Sequence, residues 1–192
     1  VTSPVRPIVW TIVFMLLSAL IVMSGIMKGI EKYSKVMMPF LFLMVVILMI
    51  RSITLPGAEK GISFLVKPDF SKITTQAVLA ALGQAFFSLS LGMGCMITYG
   101  SYIPRRENLN KLAFTTAMSD TLFAILAGLA IMPAVFSFGI SPQEGPGLVF
   151  IVLPRIFAQI PLGNIFAVMF YLILFIAAIS SAISLLEVVT AY

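Results

Sequence analysis

Residues 83–102 read GQAFFSLSLGMGCMITYGSY, and the way this stretch crosses an apolar medium decides the fold. It is apolar enough to lie in a bilayer, yet Ser88, Ser90, Gly92 and Gly94 fall within seven residues of one another. Each Gly in a helix interior costs about 1 kcal/mol relative to Ala. Two readings of the stretch are open. Small residues let neighbouring membrane helices approach closely, so the cluster can be a packing face. Alternatively the helix breaks here, and freed backbone groups at membrane depth then need protein or a wet cavity to satisfy them. Broken helices of that kind build the substrate and ion sites of secondary transporters.

Composition places the whole chain in a membrane. Of 192 residues, 60% are hydrophobic and 10% charged, against roughly 25% charged in a soluble domain. Mean hydropathy is +1.12. The net charge of +5 does not point to nucleic acid, because the basic residues sit in short connections between apolar runs. Cys95 is the single cysteine, which excludes an internal disulfide and a CxxC metal pair. With no histidine, histidine catalysis and histidine metal sites are excluded. The chain begins at Val1 without a signal peptide and runs into Tyr192 from an apolar span, and it reads as an interior piece of a longer protein.

Five spans are predicted within a single transmembrane region, 1–192: about 8–26, 36–53, 76–103, 112–138 and 164–187. The first has 19 uncharged residues (8 through 26), close to the ~20 that cross a bilayer. Pro39 stands near the start of the second span, where a missing donor does least harm. The third is the Gly/Ser-interrupted one. Five crossings put the short loops 27–35 and 104–111 on one side, and these carry Lys28, Lys32, Lys35, Arg105, Arg106 and Lys111. Basic residues in short loops mark the cytoplasmic face, leaving the connections 54–75 and 139–163 outside. The second of those holds four prolines around a largely apolar 148–160, which suggests short helices lying over the membrane face.

Two further features stand out before any family is considered. Ser180 and Ser181 form a pair inside the fifth span, which can bond back to its own helix, bridge helices or ligate. Asp120 lies inside the fourth span, where a carboxylate costs about 2.5–3.5 kcal/mol and so needs a partner or a task. It is also close enough to the Lys111 end to be a structural acid.

Taken in order, GIEKYSKVMMPFLF, KPDF, GQAFFSLSLGMGCMITYGSY and AAISSAISLLE resemble the neurotransmitter:sodium symporter family, in its bacterial amino-acid-transporting branch. The resemblance covers essentially the whole chain and corresponds to the fourth to eighth spans of that family. It implies an all-α membrane protein, a fragment of the inverted-repeat sodium symporter fold of five plus five helices, with the helix broken near 88–94. It implies a multi-pass protein of the cell inner (plasma) membrane whose partners are an amino acid, sodium ions and the lipid bilayer, with no role in nucleic-acid binding and no enzymatic activity.

The resemblance also assigns residues. Ser88, Ser119 and Asp120 are implied at a first Na⁺, with the acid standing in for bound chloride so that Cl⁻ is not required. Ala177, Ser180 and Ser181 are implied at a second Na⁺. Phe87, Ser88, Ser90, Gly92, Met93, Ser181 and Leu185 are implied around the substrate, with Phe87 capping it and an apolar pocket suited to a neutral, hydrophobic amino acid. The implied mechanism is sodium-coupled symport by alternating access, with this chain supplying about half of each site. An ion channel or non-transporting scaffold is the alternative, and it would show no saturable, sodium-dependent binding. The role of Glu187 is left open between a cytoplasmic vestibule and a structural pair.

Overall fold

The computed structural model describes residues 5–25, 31–67, 69–140 and 147–191, and all its regular structure is helical. Among the described residues, four helices are long and apolar enough to cross a membrane: α1 (Val5–Met23), α2 (Glu31–Ile53), α6 (Leu109–Ser137) and α8 (Gly163–Thr190). Between them lie α3 (Glu59–Val66), α4 (Thr75–Ser88), α5 (Cys95–Ser101) and α7 (Leu153–Phe157). The membrane class is plain from the outer faces, where side chains such as Trp10, Ile97 and Val168 stay about 70% exposed. An exposed apolar surface of that extent does not suit water.

Local sequence explains the helix ends. Asn108 caps α6, its side chain accepting from the Lys111 N–H at 3.1 Å. Asp69 accepts from the Ser71 N–H at 3.2 Å ahead of the turn Phe70–Lys72. Glu31 opens α2 in its first turn and pairs with Lys35 one turn on at 2.5 Å. The helix therefore starts ahead of the apolar centre predicted at 36–53, and Pro39 sits inside it rather than near its start. Of the loop predicted at 27–35, residues 27–30 lie outside the described residues, as do 141–146 of the connection 139–163.

The chain divides into two compact units. The first combines Val1–Leu41, Phe86–Glu107 and Leu174–Tyr192. Its core is Val22 of α1 with Ile179 and Ile183 of α8, packed around by Phe14, Ile21, Met37, Tyr99 and Leu186. Phe14 meets Phe175 edge-on, ring centroids 6.1 Å apart. Ser18 is fully buried among these apolar side chains and satisfies its hydroxyl on the Phe14 carbonyl at 3.0 Å.

The second unit combines Phe42–Ala85 and Asn108–Ile173. Here α3 lies against the far end of α6. A Cβ on Gly61 would stand 2.6 Å from the Met132 carbonyl oxygen, so the two backbones meet where only glycine fits. Phe64 packs on Phe136 at 5.3 Å. Pro133 interrupts the α6 ladder. The neighbouring Ala134 N–H donates to the Ser52 hydroxyl of α2 at 2.9 Å. Beyond α6, a short π-helical turn (Leu148–Val152) leads into α7, and the Tyr171 hydroxyl donates to the Val149 carbonyl at 3.1 Å.

Candidate functional site

The predicted broken helix is present. α4 spans 14 residues and α5 only 7, about 21 and 10 Å at 1.5 Å per residue, so neither alone matches a hydrocarbon core of about 30 Å. Between them Gly92 and Gly94 take left-handed φ values of +80° and +82°, and Ser90 joins them at +54°. For a residue with a Cβ that conformation costs about 1–2 kcal/mol, and such strain concentrates where backbone is held for a purpose. Some of the free backbone is satisfied locally. The Leu91 N–H donates to the Phe86 carbonyl at 2.9 Å and the Ser90 N–H to the Phe87 carbonyl at 3.1 Å.

Facing this break in the same unit is a polar stripe on α8. Ala177, Ser180 or Ser181, Ser184 and Glu187 recur at three- and four-residue spacing, which sets them on one side of a helix. The Ser180 hydroxyl donates to the Ala177 carbonyl at 2.9 Å, and the Ser184 hydroxyl to the Ser180 carbonyl at 3.0 Å. From α5, the Tyr99 hydroxyl donates to Ser184 Oγ at 2.9 Å and the Cys95 thiol to the Ser184 carbonyl at 3.6 Å. Glu187 is buried and accepts from the Tyr102 hydroxyl at 2.7 Å. Its structural pairing, open in the sequence, is thereby found.

An open cavity of about 740 Å³ lies along this stripe. Phe87, Ser88, Ser90 and Met93 of the break line it, together with Ser180, Ser181 and Leu185 of α8. Gly92 belongs to the same non-helical segment without lining the cavity, and Ala177 reaches the group through its carbonyl bond to Ser180. Ser119 and Asp120 lie on α6 in the second unit, Asp120 half-buried and Ser119 exposed. Further lining comes from Glu31, Ser34 and Met38 of α2, from Cys95 and Tyr99 of α5 with Tyr102 at its C-cap, and from Ile183 and Ser184 of α8. Sequence reasoning missed these. The spacing of Tyr99 from Tyr102, and of Ser184 from Ser180, was the signal that could have found them.

The chemistry of the wall is mixed in a definite way. Hydroxyl and carbonyl oxygens run along α8 and the break, while Phe87, Met93, Ile183 and Leu185 supply apolar surface. Among the described residues no three His, Cys, Asp or Glu side chains gather as a metal site. A cation here would meet hydroxyl and carbonyl oxygens, with the Glu31 carboxylate also in the wall, the donor type that suits a hard ion. Another hollow, in the second unit near Arg51, Leu153 and Phe170, measures about 30 Å³, room for one water.

Comparison with known proteins accords with this geometry. The model of the sodium:neurotransmitter symporter family matches residues 3–192. The chain is 46% identical to an uncharacterized sodium-dependent transporter of Bacillus subtilis, over all of this chain and 42% of that protein. It is 31% identical to a sodium- and chloride-dependent glycine transporter 2 of Xenopus laevis, over 94% of this chain and 24% of that protein. A crystal structure of MhsT in complex with L-phenylalanine matches with a TM-score of 0.87 and 50% identity, covering 97% of this chain and 42% of that one. The chain thus spans about two fifths of the Bacillus relative's length and of MhsT's. With a broken helix beside an oxygen-lined stripe, and a family model matching nearly end to end, this multi-pass membrane chain belongs to the sodium:neurotransmitter symporter family.

Proposed function

We propose that the protein carries out sodium-coupled symport of a neutral, hydrophobic amino acid by alternating access. The observation that carries the reading is the cavity of the first unit. There the break (Phe87, Ser88, Ser90, Met93) and the hydroxyl stripe of α8 (Ser180, Ser181, with Leu185) share one wall. The L-phenylalanine bound by MhsT, the 50%-identical neighbour, supports an apolar amino acid as cargo.

In this reading Phe87, Met93 and Leu185 hold the side chain of the amino acid, and Ser90 with the Gly92 backbone faces its polar end. Ala177, Ser180 and Ser181 offer three oxygens to one Na⁺. Ser88, with Ser119 and Asp120 of α6, serves the other, first Na⁺, an assignment that rests on the family resemblance. Asp120 supplies the negative charge that chloride would otherwise bring, so transport proceeds without Cl⁻. Sodium organises the same opened backbone that meets the substrate, which couples the two. The chain crosses the inner (plasma) membrane five times, α4 and α5 together forming the third crossing. The loops 27–35 and 104–111 lie in the cytoplasm, and the connection 139–163 forms an outer lid.

The test is binding of labelled leucine, phenylalanine, tryptophan and tyrosine to the intact protein in Na⁺ or K⁺, with and without Cl⁻. Saturable binding that needs Na⁺, ignores Cl⁻ and falls in Ser88→Ala and Asp120→Ala is the expected result. Binding indifferent to Na⁺, or absent for every amino acid, would overturn the reading, and strict Cl⁻ dependence would overturn the role of Asp120.

A further inference from the structure

Ser184 is assigned no role by the family resemblance, yet its hydroxyl takes part in two hydrogen bonds and its carbonyl in a third. Its Oγ accepts from the Tyr99 hydroxyl at 2.9 Å and donates to the Ser180 carbonyl at 3.0 Å, while its own carbonyl accepts from the Cys95 thiol at 3.6 Å. A serine hydroxyl has one proton. With Tyr99 donating in, that proton goes to Ser180, so the chain of bonds runs one way, from α5 into α8. One turn further along α8 the Ser180 hydroxyl donates in turn to the Ala177 carbonyl at 2.9 Å. α5 is therefore tied by side chains to the turn of α8 that carries Ala177, Ser180 and Ser181.

We infer that Ser184 is a positioning residue that links sodium binding on α8 to the placement of α5, and hence to substrate binding at the break. This inference rests on the symport reading above. Three features favour it over a packing role. Ser184 is half-buried and lines the cavity, so the link is made beside the site. The Ser180 carbonyl is shared between the helix ladder and the Ser184 hydroxyl, and such back-bonding bends a helix locally. Finally, α5 has only seven residues and begins at the left-handed Gly94, so its own ladder holds it weakly and side-chain ties set its place.

A bond between the short half-helix α5 and the proposed ion-binding turn makes the two binding events cooperative, and cooperativity is reciprocal between ligands. Removing the Ser184 hydroxyl should leave both sites present while loosening their coupling. The experiment measures L-phenylalanine binding to the intact protein over a range of Na⁺ concentrations. In Ser184→Ala the rise in phenylalanine affinity from low to saturating Na⁺ should shrink about fivefold, the equivalent of one lost hydrogen bond, while affinity at low Na⁺ changes less than about twofold. Ser184→Thr keeps the hydroxyl and should restore the parent Na⁺ dependence. Tyr99→Phe should shrink that rise in the same direction, and the double variant should be no worse than the more affected single.

An unchanged Na⁺-driven rise in phenylalanine affinity in both Ser184→Ala and Tyr99→Phe would overturn the inference and leave the symport reading standing. So would an equal loss of phenylalanine affinity at low and at saturating Na⁺, since Ser184 would then be a substrate contact. If Ser184→Ala does not fold, Tyr99→Phe decides alone. Parent protein that binds no amino acid in a Na⁺-dependent way overturns both readings, so the two failures are told apart by the parent itself.

Discussion

The Ser52 hydroxyl accepts a 2.9 Å hydrogen bond from the Ala134 N–H, 82 residues away in the chain and one residue past Pro133. Ser52 is buried, so its loss leaves a backbone donor with no water to turn to. Ser52→Ala should lower stability by about 1–2 kcal/mol, read as a lower midpoint of thermal unfolding in detergent. Ser52→Thr, which keeps the oxygen, should lose less. Equal midpoints for parent and Ser52→Ala would show that this bond carries no net stability.

Gly94 is constrained twice over, by a φ of +82° and by Val188, whose Cγ1 would lie 2.9 Å from an added Cβ. The left-handed conformation alone costs an alanine about 1–2 kcal/mol. Gly94→Ala should therefore destabilise the first unit, and adding Val188→Ala should recover only the steric part. Full recovery in the double variant would mean that the backbone conformation at 94 relaxes freely.

Gly61 and Gly83 should respond with opposite signs. A Cβ at Gly61 meets the Met132 and Pro133 backbone at 2.6 Å, whereas at Gly83, inside α4, nothing lies within 4 Å. Gly61→Ala forces α3 away from α6 and should lower the unfolding midpoint by several degrees. Gly83→Ala should raise it, by up to about 1 kcal/mol of helix propensity. Matching shifts at the two positions would contradict the close approach of α3.

Thr98 is buried at 2% exposure, and its hydroxyl has no hydrogen-bond partner among the described residues. An unpaired buried hydroxyl costs about 1–3 kcal/mol. Thr98→Val removes it at nearly the same shape, so the midpoint should hold or rise. A clear fall would reveal a partner that the hydroxyl engages in the folded protein.

The long apolar runs of α1, α2, α6 and α8 were legible because a bilayer demands continuous hydrophobicity, whereas the Gly/Ser cluster alone left a packing face and a break both open, and the family resemblance chose the break. The Ser180–Ser181 pair could be singled out, but its residue types left ligation, helix bridging and back-bonding open, and in the structure the Ser180 hydroxyl bonds back to the Ala177 carbonyl. Other parts were hidden for physical reasons. Tyr99, Ser184, Tyr102 and Glu187 meet through contacts spanning 85 residues of chain, which no local pattern encodes. Pro39 looked like an end because proline usually is one, whereas the Glu31–Lys35 pair lies a turn earlier, in a helix that runs on through it. The notch at Gly61 depends wholly on what α6 places opposite it.

The break also bears on how the protein's sidedness is counted. Four full-length helices alone return a chain to the face from which it set out. Under the proposed crossing, the 14- and 7-residue halves together add a fifth passage that no search for long helices registers. The parity turns from even to odd, and Arg6 and Glu187 come to opposite faces of the bilayer. A fluorophore or protease-accessible tag beside each would therefore be reached from different sides, a reversal produced by three left-handed residues.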